Sequence, residues 1–458
     1  MSMTIIERIL CEKQDTGCVR SYKKAGSRLC FCINVLVLFM AACEPNPVIN
    51  GSRNVTVGQE ILVSVEQGPV FRRDDLELKD ALGNVYRHSS PELNYRFESE
   101  KEIVFTVPFG VATGPASLYL GAEGRSKGYT IDLQVVRLAA LLNEHGDIHV
   151  IDMSTGQSIS VTKIGDGAVT ARLAADGNRI IATSQQDGAV HFLSFDGDGL
   201  RPYAPAIERV GTTLVDAVLI PGGALLAVDQ GLAVIKQLNH NATFLEEFLD
   251  VPPLRGLAGG EGHERVLALA APTIDATDVG NEIYIVDLEE HGPELRDQVL
   301  DIGGTTGGAG HMVLSRDGSH LYVANRADDT ITHVNITSTD ASVSAIVSLP
   351  LEQLDENKQV QHADPVRVRL TPSGSDLIVL CGRSKSLVRF GVGQNGSLEE
   401  KETVLFNGLP FDVSFVADMA YVIVDNDVKK INLADSRPVP ENVEWENTAA
   451  ALTIMLQP

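Results

Sequence analysis

The sequence predicts an all-β chain, a small β-sandwich followed by a closed ring of four-stranded blades. Three observations carry the prediction. Apolar residues alternate with period two in short runs punctuated by Gly and Pro turns. After Val136, one pattern of apolar strand, tight turn and second apolar strand recurs at intervals of 46, 38, 57, 56 and 45 residues, anchored on Leu173, Leu219, Leu257, Leu314, Leu370 and Phe415. The last residues of the chain read as the one strand that the start of the repeat lacks. A repeat of ~40 to 50 residues built only from short strands is the pattern of a β-propeller. A blade has two apolar faces and covers neither alone, so blades stack until the ring closes.

The bulk numbers set outer bounds. With 458 residues, 44% hydrophobic and 5% aromatic, the chain can bury more than one core. Its formal charge of −24, from 61 acidic and 37 basic residues, argues against nucleic acid as a partner, because each phosphate contact calls for a Lys or Arg. Cys11, Cys18, Cys30, Cys32 and Cys43 crowd the N-terminus, and only Cys381 lies beyond, in the apolar run "LIVLC". Neither a disulfide framework nor a Cys-based metal site can be built in the body of the chain. No metalloprotease, serine-hydrolase elbow or haem-attachment motif is present, and "GGTTGGAG" (Gly303–Gly310) lacks the Lys-Ser/Thr of a phosphate loop. No cofactor is expected.

At the N-terminus, Arg20, Lys23, Lys24 and Arg28 precede the mostly apolar run from Leu29 to Ala42. That run is short of the ~20 residues that span a bilayer and suits a signal peptide. It ends "MAAC", which resembles the bacterial lipobox, with small Ala41 and Ala42 before Cys43 and Met40 where that motif usually has Leu. The resemblance implies a signal over residues 1–42, acylation of Cys43, and a chain anchored by lipid in the bacterial cell envelope, periplasmic or surface-exposed. Acyl chains at ~0.8 kcal/mol per buried methylene would hold so acidic a body at a membrane without a basic patch. Residues 43–46 read as a linker, since Pro45 and Pro47 forbid helix continuation.

Residues 47–136 read as the sandwich, with strands expected at Glu60–Val65, Glu102–Gly110, Pro115–Leu120 and Tyr129–Val136. The stretch "IVFTVPFGVATGPASLYLG" resembles the penultimate hairpin of immunoglobulin-like IPT/TIG domains. The resemblance implies a spacer.

Residues 137–458 read as the propeller. The segment "LAALLNEHGDIHVIDMSTGQSISVTKI" (Leu138–Ile164) supplies three strands without an innermost one, and "TIMLQP" (Thr453–Pro458) matches the missing strand, so seven blades follow, one shared by the two ends. Pairing the ends leaves no open edge at the seam. Blade four, "GHMVLSRDGSHLYVANRADDTITHV", resembles the YVTN/YncE-type and lactonase-type seven-bladed propellers, whose repeats run close to "SPDG…LYVAN". The likeness is specific for fold and weak for function.

Three residues before each anchor stand Thr170, Asp216, Leu254, His311, Arg367, Asp412 and Thr453. Inner strands line the channel, so the polar members form a candidate ring at its mouth, with Arg255 beside Leu254 as a further member. Arg255, His311 and Arg367 opposed to Asp216 and Asp412 would suit a small anion or a sugar, and a His among arginines can act as acid or base. In lactonase-type propellers a His commonly stands before the "SPDG" turn, and His311 matches that place. The sequence favours a binding or scaffold module for a protein or small polar ligand, because no catalytic constellation has fixed spacing. The alternative is a lactonase-like hydrolase acting at the channel mouth.

Overall fold

The computed structural model describes residues 48–455 apart from short stretches, the longest being 207–213, 271–280 and 351–361. The lipobox and Cys43 lie outside the described residues. Among those described, nine sheets form and no helix is long and apolar enough to cross a membrane.

Two sheets make the sandwich. One orders Val48–Asn50, Glu60–Ser64, Glu102–Thr106 and Tyr95–Ser99; the other orders Asn54–Thr56, Tyr129–Val136, Gly114–Ala122, Phe71–Lys79 and Val85–Arg87. Period-two alternation is plain in Tyr129–Val136, where Ile131, Leu133 and Val135 turn inward between exposed Thr130, Asp132 and Gln134. Val63, Ile103, Phe105 and Leu118 fill the core between the sheets. Phe71–Lys79 was not expected as a strand. Its "RRDD" centre breaks the alternation, and its ladder to Gly114–Ala122 is irregular between Phe71 and Leu76.

The remaining seven sheets are the blades, each of four antiparallel strands in chain order save the last. Second strands such as Arg265–Ala270 and Asp376–Cys381 are buried along their whole length, because a neighbouring blade covers each face. Outer strands such as Ala341–Ser348 are exposed almost throughout. Cys381 sits in this core, where burial pushes its thiol up to about 12.

A recurring turn fixes the blade edges. Between second and third strands, Asp329, Lys385 and Gly146 take left-handed φ of 53°, 51° and 75°. Their carbonyls accept the N–H of Leu349, Phe406 and Ile164 at 2.9, 2.8 and 2.9 Å. Each of those donors is a buried apolar residue just past its outer strand, so the turn pins the exit of every such blade.

The seam closes as expected. Ala451–Met455 pairs antiparallel with Leu138–Leu142, placing Leu138 opposite Met455 and Leu142 opposite Ala451. It packs against the inner strands of blades six and one, Pro410–Val416 and Ala168–Leu173.

Candidate functional site

The inner strands of blades one to six share an irregularity that the sequence did not announce. In each, the ladder to the second strand skips one residue, between Ala168 and Thr170, Leu214 and Asp216, Leu254 and Gly256, Ala309 and His311, Pro365 and Arg367, and Pro410 and Asp412. This bulge puts Thr170, Asp216, His311, Arg367 and Asp412 at one level of the channel. In blade three the level is held by Gly256, not Leu254. The alignment slipped by two because Gly259, with φ of 98°, occupies the place where other blades carry an apolar anchor. Arg255 is therefore the bulge residue of its blade, equivalent to Gly310, Val366 and Phe411.

Within the described part of the closing strand, Ala451–Met455, the register to Leu138–Leu142 runs unbroken. Ala451 opposite Leu142 matches His311 opposite Ala324, since Asn143 and Asn325, the next residues, each reach the third strand, at His149 and Thr332. Thr453 lies two residues further along, opposite Ala140. The side chains of Thr170 and Thr453 are outside the described ones.

Side chains at this level tie each blade to the next. Asp216, 3% exposed, accepts the N–H of Ala217 through Oδ1 and that of Leu257 in blade three through Oδ2, both at 2.9 Å. His311 Nδ1 accepts the N–H of Val368 in blade five at 3.4 Å. A neutral imidazole that accepts at Nδ1 carries its proton on Nε2, so His311 is a donor there. Asp412, also 3% exposed, accepts the Val413 N–H at 2.9 Å and lies 3.2 Å from Arg367 Nε and 3.5 Å from Arg369 Nη2.

Two arginines that sequence reasoning missed complete the wall. Arg369 follows Arg367 on the same face of its strand, a spacing open to inspection. Arg326 comes from the turn after the second strand of blade four, and nothing in the sequence places it here. Its side chain lies across Gly310, where an added Cβ would meet Arg326 Cδ at 2.7 Å. Its Nε and Nη2 donate to Asp364 at 2.7 and 3.0 Å. Arg255 Nη1 donates to the carbonyl of Ala309 beside it. Burial holds the Arg255 guanidinium below its ordinary range, and the charge on Arg326 adds to the effect. In a chain of charge −24, four arginines and a histidine thus gather on blades three to five. Such a wall favours negative charge, whether resident on a ligand or developing on a carbonyl oxygen.

A separate recess of about 280 Å³ lies between blades five and six, lined in part by Asn407, Gly408, Asp425 and Lys429. There the Lys429 ammonium is already held by Asn442 at 2.5 Å and Asp427 at 3.4 Å. Among the described residues no group of three or more His, Cys, Asp or Glu could hold a metal ion.

Residues 273–429 match the family described as "Lactonase, 7-bladed beta-propeller", an interval that contains His311, Arg326, Arg367, Arg369 and Asp412. No curated protein matches the chain. A protein of unknown function from Desulfotomaculum acetoxidans is 13% identical, with a TM-score of 0.57 over 69% of this chain and 98% of that one. A putative 6-phosphogluconolactonase from Bacteroides uniformis is 13% identical, with a TM-score of 0.55 over 69% and 99%. The periplasmic gluconolactonase of Pseudomonas aeruginosa is 12% identical, with a TM-score of 0.56 over 70% and 99%. At such identities the likeness is one of architecture, and the propeller is lactonase-like in fold.

Proposed function

We propose that the propeller hydrolyses a lactone, with the arginine wall of blades three to five as its electrostatic centre. The observation that carries this reading is the gathering of Arg255, Arg326, Arg367 and Arg369 with His311 on the inner strands and one adjoining turn of blades three to five, most of them inside the interval that matches the lactonase family. Water attack on a lactone carbonyl moves negative charge onto the carbonyl oxygen, and pre-placed guanidiniums stabilise that charge without reorganising. The Nε2–H of His311 adds a neutral donor. Asp412 keeps Arg367 and Arg369 from swinging into solvent. The proposal departs from the binding-module reading favoured by sequence, which rested on the absence of a constellation, and takes these residues as the candidate for one.

The same reading covers the address. Acylation at Cys43 would hold the propeller in the envelope, and an IPT/TIG-like sandwich would serve as the spacer.

The test is proton release in a pH-stat from a panel of five- and six-membered sugar lactones, with Arg367→Ala in parallel. Hydrolysis above the spontaneous rate that falls ~100-fold or more in the variant supports the reading. A wild-type protein no faster than buffer across the panel overturns it.

A further inference from the structure

A histidine and an aspartate outside the arginine wall make a second arrangement beside it. Asp329 sits in the left-handed turn of blade four with its side chain 5% exposed, held there by the bond from the Leu349 N–H to its carbonyl. Its Oδ2 accepts from His362 Nδ1 at 2.7 Å, and its Oδ1 accepts the N–H of Asp364 at 2.8 Å. A ring that donates at Nδ1 to a carboxylate keeps its lone pair on Nε2. His362 is itself 58% exposed, so a buried acid steers an imidazole that water and substrate can reach. Two residues on, Asp364 grips Arg326, and three further on comes Arg367. His362 thus stands on the connection that delivers the arginine wall, in the tautomer opposite to that of His311.

We propose that His362 is the general base of the channel mouth, oriented by Asp329. This rests on the lactonase reading above. In the step proposed, the His362 Nε2 lone pair takes a proton from water as the water oxygen bonds to the lactone carbonyl carbon, and the carbonyl π electrons move onto oxygen beside the guanidiniums. When that oxyanion collapses, the ring C–O bond breaks and the leaving alkoxide recovers the proton from the imidazolium. One water is consumed, and the hydroxy acid formed releases its carboxyl proton to solvent. Asp329 is a positioning residue, since it reaches the reacting atoms only through His362.

The experiment measures kcat, KM and melting temperature for the full-length wild type, His362→Gln, His362→Ala, Asp329→Asn and Arg367→Ala on the best lactone of the panel. His362→Gln is expected to lose ~100-fold in kcat with KM within about twofold and an unchanged melting temperature, because general-base contributions run at that scale and the side chain is exposed. Exogenous imidazole is expected to restore part of the rate to His362→Ala and none to Arg367→Ala. Asp329→Asn is expected to lower kcat ~10-fold or more with KM held. If His362→Gln keeps over half of the wild-type kcat while Arg367→Ala is inactive, the general-base role falls and the lactonase reading stands. If the wild type itself turns over no lactone, both fall together.

Discussion

Acidifying the protein from pH 7 to pH 4 should weaken the junction of blades four and five at one identifiable pair. His333 is 1% exposed, its ring stacked on Tyr322 with centroids 5.2 Å apart and its Nε2 3.2 Å from His320 Nδ1. Gly396 of blade five closes over both rings: a Cβ there would fall 2.3 Å from His333 Nε2, and its carbonyl accepts the Tyr322 hydroxyl at 3.0 Å. Asn335 occupies the other approach to His320 Nδ1. Burial, and then the charge on His320, push His333 from 6.5 down to about 4. The unfolded chain therefore binds the extra proton first. Stability is whole above 6.5 and is lost as the pH falls toward 4. At about 1.4 kcal/mol per tenfold change in proton affinity, the loss comes to ~3 kcal/mol. The assay is urea unfolding at pH 7, 6, 5 and 4 for the wild type and for His333→Phe, which keeps the ring volume and cannot ionise. The difference between the two profiles should open by that amount across the window. Coincident profiles would refute the reasoning, and so would a wild-type profile flat from pH 6.5 to 4.

Three further outcomes are expected. Arg389→Met should cost ~1 to 2 kcal/mol in unfolding free energy, because it removes the guanidinium that holds Asp376 and Glu402 at 3.1 and 2.9 Å and leaves Asp376 to Lys401 alone; a loss under half a kcal/mol would show the network to be ornamental. Deleting Ala451–Pro458 should leave Leu138–Leu142 with an open edge and produce aggregation or a lower melting temperature, and an unchanged melt would show that the seam is not closed by this strand. Mass spectrometry of protein purified from membranes should find a lipid-modified Cys43 at the mature N-terminus, whereas a Cys43→Ser chain processed at the same bond and still wholly membrane-bound would remove the lipid anchor from the account.

The blades were legible because their burial pattern is written locally. "LYVA" and "LIVLC" are continuous apolar runs, and such runs belong to strands covered on both faces. The shared seam was legible for a similar reason: Leu138–Leu142 had no inner partner upstream. The channel level was read only in part. Asp216, His311, Arg367 and Asp412 share one register position, but spacing counted from apolar anchors could not see Gly259 doing an anchor's work, and so misplaced blade three. The bulge that sets the level leaves no mark on composition. Arg326, Asp329 and His362 could not be found at all. "RADDT" and "HADP" match no motif of a site, and the residues they carry meet only because a turn of blade four lies against the connection entering blade five.

A crystal structure of the protein with the hydroxy-acid product of its best lactone tests the central claim most directly. The account predicts product at the channel mouth, with its carboxylate within hydrogen-bond distance of at least two of Arg255, Arg326, Arg367 and Arg369. Product bound only on the outer face of the blades, or in the recess beside Lys429, would contradict it.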